Sequence, residues 1–341
     1  MELNIIWFIL LIVLFSGYVV LDGFDLGVGM LHFKAKTDDE RRILLNSIGP
    51  VWDGNEVWLI TAGGALFAAF PNVYATVFSG FYTAFMLFLL VLIGRAVSIE
   101  FRSKVENPKW RITWDVVFHI SSYLIAILLG VTLGNLIAGV PITTIDGVKE
   151  FDGSFLGLLN PYSIFLGCTA AIALRFHGSL YLLMKTSGEL KERIEKRVKF
   201  LMILFIMFLA LLTIWTWFAN SHHTENFLYN PIWFIFPLLI IISFILIPKF
   251  LNKQKYFTGF VFSSLILVSC IVITEIGLYP NLLYSNTNPL NSLNIFEDAS
   301  SQKTLMVMLI IALIGVPLML IYKFFVYRIF KGKVQIDSNS Y

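Results

Sequence analysis

Charge is what this sequence has least of: 14% of its 341 residues are Asp, Glu, Lys or Arg, while 57% are hydrophobic. That scarcity excludes a soluble globular domain of ordinary composition. The net charge of +3 is modest, and no nucleic-acid partner is expected. Cysteine is almost missing. Cys168 and Cys270 both fall in apolar segments, which excludes a disulfide framework and a thiolate-ligated metal and leaves two small buried hydrophobes. The start, Met1-Glu2-Leu3-Asn4, lacks a basic n-region and no Ala-x-Ala site follows, so the first apolar run is expected to be retained. There is also no room for a soluble domain, because the longest outer loops run to about 20 residues. Function must therefore sit inside the bilayer or on a partner docked against this chain.

What is present is a series of apolar windows long enough to cross a bilayer. They lie near 5–32, 51–70, 74–94, 114–140, 160–184, 199–219, 231–249, 257–279 and 304–330. The expected fold is an all-α polytopic membrane protein of about nine transmembrane helices. Alternate loops carry the basic residues: Lys34 to Arg42, Arg95 to Arg111, Lys185 to Lys199, Lys249 to Lys255, and the tail from Lys323 to Lys333. The remaining loops hold only Lys149 and Lys303. The positive-inside rule then puts the N-terminus outside and the C-terminus in the cytoplasm.

Within the first apolar run stands Asp22-Gly23-Phe24-Asp25, with no Lys or Arg between Leu3 and Phe33. Each aspartate near a bilayer centre costs about 2.5–3.5 kcal/mol on insertion scales. Residues three apart share a helical face, so Asp22 and Asp25 point together, toward protein and not lipid. Gly23 and Gly27 form a small-xxx-small stripe beside them that admits a neighbouring backbone. The second run opens Trp52-Asp53-Gly54-Asn55-Glu56-Val57-Trp58, again with two acids three apart. Asp22, Asp25, Asp53 and Glu56, with the amide Asn55, thus form an acidic ladder rising from the cytoplasmic face. Burial disfavours the charged form of a carboxylate, which suits such a ladder to proton entry from inside. Plainer readings stand beside it. Asp53 has the chemistry of a helix cap, with Trp52 and Trp58 as packing residues. Asp22 and Asp25 have that of salt-bridge partners of Arg102 or Arg95, and Arg175, near His177, is a further candidate counter-ion. A different function class, an ion-coupled secondary transporter binding its ion at Asp22 and Asp25, is the alternative; no matching pair of broken helices in two halves supports it.

His119 and His177 are the only histidines well inside the apolar runs; His32 lies at an interface and His222-His223 in an outer loop. No repeated ligand pair for a bis-histidine haem is present, so hydrogen-bonded helix roles are expected for both.

Longer motifs carry a family resemblance. Asp22-Gly-Phe-Asp-Leu-Gly-Val-Gly-Met30, Arg41-Arg42, and the run from Asn46 through Trp52-Asp-Gly-Asn-Glu-Val-Trp58 to Leu59 resemble subunit II of the cytochrome bd-type quinol oxidases. So do Ile60–Phe70, Phe78–Tyr82, Phe101–Lys104, Gly134-Asn135, Leu159–Pro161, His177-Gly178 and Asp298–Gln302. Some members carry Gln where this chain has Glu56. The resemblance spans nearly the whole chain and implies one membrane domain, 1–341, built from a four-helix bundle at 1–140, a second at 160–280 and a peripheral ninth helix at 302–330. It implies a heterodimer with a haem-bearing subunit I that carries haem b and haem d, oxidises quinol and reduces dioxygen to water. Subunit II in typical members holds no redox centre. It stabilises its partner and, in some members, supplies a proton path or holds a structural quinone; a small single-helix subunit is a further candidate partner. On this reading Asp22, Asp25, Asp53 and Glu56 are the proton-path candidates, and Gly23, Gly27, Trp52, Asn55, Trp58 and Arg102 are structural or interface residues.

Overall fold

The computed structural model describes residues 2–336. Its chain is nearly all helix. α1 (Leu3–Leu31) is an apolar rod, followed by the surface helix α2 (Asp38–Ile48). A capping box starts α2: the Thr37 hydroxyl accepts from the Glu40 backbone N–H and the Glu40 carboxylate accepts from that of Thr37. Next come α3 (Trp52–Ala69), α4 (Pro71–Gly80), α5 (Tyr82–Phe101) and α6 (Pro108–Ala138). A hairpin of β1 (Ile142–Ile145) and β2 (Val148–Phe151) leads to α7 (Pro161–Lys185), α8 (Gly188–Ala219) and the short α9 (Ser221–Tyr229). α10 (Ile235–Asn252), α11 (Tyr256–Leu278), the strands β3 (Asn281–Leu283) and β4 (Leu293–Asn294), and α12 (Gln302–Ile329) complete it. Proline opens α4, α6 and α7, where its missing N–H costs nothing.

Among the described residues eight helices are long and apolar enough to cross a membrane: α1, α5, α6, α7, α8, α10, α11 and α12. The expected count of about nine is not reached on those grounds, because α3 begins with Asp53, Asn55 and Glu56 and so falls outside the set. The expected continuous span 74–94 is also corrected. It breaks at the buried Phe81, between α4 and α5, where the backbone leaves helical geometry (φ −97°, ψ 16°). There the Phe81 ring packs 5.8 Å from that of Phe151 on β2. At the other extreme, the charged stretch before Lys199 is not loop but the first turns of α8, 32 residues long.

α1 is the axis of the molecule, packed against α3, α6, α7, α11 and α12. The approach to α7 is close because glycines face each other: a Cβ on Gly27 would lie 2.7 Å from the Gly178 Cα, and one on Gly23 2.9 Å from the Leu174 side chain. α6 meets α7 in the same way, through Gly130 and Gly167. Small residues that let backbones touch are how helices associate where lipid is as apolar as leucine. Two large apolar clusters result, beside a small one of Ile137, Tyr162, Leu166 and Leu212. One gathers Phe24, Leu26, Leu174, Phe176 and Leu180. The other, towards the chain start, holds Trp7, Leu11, Trp58, Leu283 and Leu305. α12 lies outermost, against α1 and α3, with Leu305 as its one buried residue.

Candidate functional site

The polar residues of α1 and α3 meet where these helices cross. Asp22 and Asp25 are fully buried, as is Asn55 on the facing side of α3. Their partners differ. Asp22 accepts two hydrogen bonds from the buried Arg95 of α5, at 2.6 and 3.1 Å, a bidentate charge-assisted pair. Of the two cations considered as its partner, Arg95 is therefore the one; Arg102 is committed elsewhere.

Asp25 has no cation against it. Its Oδ2 accepts from Asn55 Nδ2 at 2.8 Å, and its Oδ1 is buried with no partner among the described residues. Asn55 Oδ1 in turn accepts from Lys323 Nζ at 3.0 Å and from the Tyr327 hydroxyl at 2.8 Å, both on α12. Asn55 is thus an amide bridge. It faces the Asp25 carboxylate with its donor and a Lys–Tyr pair with its acceptor, an orientation set by the chemistry of its neighbours.

Lys323 also reaches a cavity of about 520 Å³ at the start of α3, lined by Pro50, Trp52, Asp53, Glu100 and Tyr322 among others. Asp53 is exposed there. It is not the cap of α3: the capping position is Val51, with no side-chain cap bond. Glu56, one turn on, is half-buried and within electrostatic reach of Arg95, Asp22 and Asp53. The four acids thus meet around one helix crossing, although only Asp25 and Asp22 are sealed from solvent. Trp52 and Trp58 are buried packing residues, Trp58 lying against Gly17 of α1.

A second polar cluster joins the ends of α1, α5 and α6 to α2. Asp115 accepts from Arg102 at 2.6 Å, from Arg41 at 3.0 Å and contacts the His32 ring at 2.5 Å. Arg102 and Arg111 both donate to Asp38, at 2.8 and 2.7 Å. Arg102, placed beside the ladder from its sequence position, belongs to this closed network. The proposed counter-ion Arg175 pairs with no carboxylate among the described residues; its guanidinium lies 5.9 Å from the centre of the Tyr123 ring.

The histidines hold hydrogen bonds. His119 faces the Gly29 carbonyl at 2.9 Å; His177 contacts the Ser263 hydroxyl and the Val20 carbonyl. Outside the spans, burial pushes His223 of α9 down to about 4, with the neighbouring His222 adding to the fall, while a bond to the Thr274 carbonyl opposes it. No group of three or more His, Cys, Asp or Glu side chains suited to a metal occurs among the described residues. Lys323 and Tyr327 were not singled out from the sequence. Their spacing of four places them on one face of α12, but nothing local says that this face meets Asn55, 268 residues earlier.

Residues 3–330 match the family model described as cytochrome bd terminal oxidase subunit II. The cytochrome bd-I ubiquinol oxidase subunit 2 of Escherichia coli K12 is 37% identical, over 99% of this chain and 98% of its own. The cytochrome bd ubiquinol oxidase subunit 2 of Bacillus subtilis 168 is 36% identical, over 98% and 97%. In fold, the chain resembles one from the bd oxidase structure of Geobacillus thermodenitrificans, with a TM-score of 0.78 at 19% identity, over 97% of this chain and 99% of that one.

Proposed function

This chain belongs to the cytochrome bd terminal oxidase subunit II family, and on that premise we propose that it brings protons from the cytoplasm to a haem-bearing partner subunit. That partner oxidises quinol and reduces dioxygen to water. Haem b and haem d supply the electron chemistry and reside in the partner. Here the buried histidines already bond to carbonyls and hydroxyls or, for His32, to a carboxylate, and the chain acts as the non-redox half of an oxidoreductase. The termini lie as the loop charges dictate, outside for the N-terminus and cytoplasmic for the C-terminus. We read residues 1–140 and 160–280 as two helix bundles of one membrane domain, with 302–330 as the peripheral helix.

One observation carries the proton role: Asp25 is buried with one oxygen unpartnered and is joined through Asn55 to Lys323, which lines a cavity with Asp53. Each residue then has its own task. Asp53 gathers protons at the cavity. Lys323 and Tyr327 hold the Asn55 carbonyl, so that its amide nitrogen faces Asp25 and leaves the second carboxylate oxygen free to take a proton. Asn55 itself only orients, since an amide neither accepts nor releases a proton near neutral pH. Asp22 holds the Arg95 guanidinium through two charge-assisted hydrogen bonds and is a positioning residue. Glu56, one turn on from Asp53 and within electrostatic reach of Arg95 and Asp22, is a further proton-path candidate. The same geometry weighs against an ion-coupled transporter, because Asp22 is spent on Arg95 and a lone carboxylate remains for a cation.

The test is Asp25→Asn in the assembled complex, which preserves shape and the bond from Asn55. Quinol-driven oxygen uptake should fall at least about tenfold, with unchanged haem absorption and unchanged subunit ratio. Full turnover by that variant would overturn the proton role.

A further inference from the structure

A cluster of positive charge lies apart from the site above, on α7, α8 and the turn after α1, and no carboxylate pairs with it among the described residues. Lys34 ends the turn after α1, Arg175 lies on α7 and Arg197 on α8; Arg175 and Arg197 are both close enough to Lys34 to repel its charge. His119 of α6 feels Lys34 and Arg175 as well. The line between them is continuous. The His119 ring packs 4.9 Å from Phe33 on one side and 5.1 Å from Tyr123 on the other, and Arg175 stacks over Tyr123. Arg175 Nε is buried with no hydrogen-bond partner, and none of the three cations forms an ion pair among the described residues. Two acids that follow Lys34 in the chain are already taken: Asp38 pairs with Arg102 and Arg111, and Glu40 with Arg193, which also donates to the Lys34 carbonyl.

An arginine inside an apolar helix that has no protein counter-charge calls for an anion from elsewhere. Arg175 stands ten residues before Lys185, roughly 15 Å of helical rise, and its long side chain can run toward the basic end of the helix. The flanking helices present apolar, exposed walls: Ile120 and Leu124 on α6 are 50% and 41% exposed, Phe200 and Ile203 on α8 57% and 54%. A free inorganic anion has no use for such walls, whereas acyl chains do. We infer that this basic cluster binds the phosphate headgroup of an anionic phospholipid, held by Arg175, Arg197 and Lys34, with its chains on α6 and α8. Basic pockets between membrane helices on the cytoplasmic side suit such headgroups. The site shares no residue with the Asp25 region and stands whether or not the proton role does.

The test uses the full chain in the complex it forms, exchanged into nanodiscs of phosphatidylcholine containing a minor fraction of phosphatidylglycerol. Native mass spectrometry then reads which phospholipid stays bound. Phosphatidylglycerol should be retained selectively, and Arg175→Gln should lower that selectivity at least about fivefold, the loss of roughly 1 kcal/mol per basic contact. Arg175→Lys should restore most of it. Should Arg175→Gln impair assembly, Arg197→Gln and Lys34→Gln, on accessible side chains, should each give a smaller loss in the same direction. Equal retention of the two lipids, unchanged selectivity in the variants, or displacement of phosphatidylglycerol by millimolar inorganic phosphate would each overturn the assignment.

Discussion

Asp115 and Asp25 are both aspartates with no exposed surface, yet their surroundings have opposite characters. Asp115 is closed on all sides, by Arg102, Arg41 and His32, in a network that continues through Asp38 to Arg111. Asp25 has a neutral amide on one oxygen and, among the described residues, no partner on the other. A buried charge with every lone pair satisfied is a clamp, because protonation or removal leaves several cations stranded. A buried acid with one oxygen unpartnered strands no cation when it changes charge, which is what the proposed role asks of Asp25. The contrast divides the acids of this molecule by what each can do, and Asp22, bidentate to Arg95, falls on the closed side with Asp115.

Replacing Asp115 by Ala tests the closed side most severely. It should cost about 3–5 kcal/mol, as expected when one partner of a buried ion network is removed. The readout is a lower unfolding temperature and loss of assembled complex. A variant that assembles normally would show the network to be dispensable and erase the contrast with Asp25.

Acidification sharpens the comparison at the other end of the molecule, where His223 is buried and neutral without any ion pair. Burial, with help from His222, lowers it to about 4 from an ordinary value near 6.5. Below about 6.5 the unfolded chain binds a proton that the folded chain refuses. Stability supplied by the neutral ring is therefore present above that pH and is lost as pH falls toward 4, by up to about 3 kcal/mol. His223→Gln should flatten this part of the pH–stability curve, measured by thermal unfolding between pH 4 and 7. A curve of unchanged slope would mean that another group carries the dependence.

The smallest expected stability effect is at the open site. Asn55→Ala removes the bonds to Asp25, Lys323 and Tyr327 and should cost about 2 kcal/mol, while oxygen uptake falls with it. If stability drops as far as for Asp115→Ala, the open site is a clamp too.

Much of this was legible from residue order alone. The apolar runs, the alternation of basic loops and the acids three apart on α1 and α3 are local patterns, and helix geometry turns each into a face without reference to the rest of the chain. The glycines Gly23 and Gly27 announced a close neighbour, although not that it would be α7. The reading failed where local composition conflicts with packing. Continuous apolarity hid the break at Phe81, where a ring from a hairpin some 70 residues later packs. The charged stretch before Lys199 is helical, as the basic connections were free to be, because Glu, Lys and Arg are good helix formers whatever their polarity.

Residue order by itself determined that acids three apart would share one face of α1 and one face of α3, since hydropathy and the 3.6-residue repeat are properties of neighbours in the chain. Tertiary structure alone decided their roles: Arg95 and not Arg102 reaches Asp22, and a lysine and a tyrosine from α12 meet Asn55. Charge pairing acts over a few ångströms and depends on where helices cross, and those crossings are set by glycine contacts and side-chain packing spread over the whole chain.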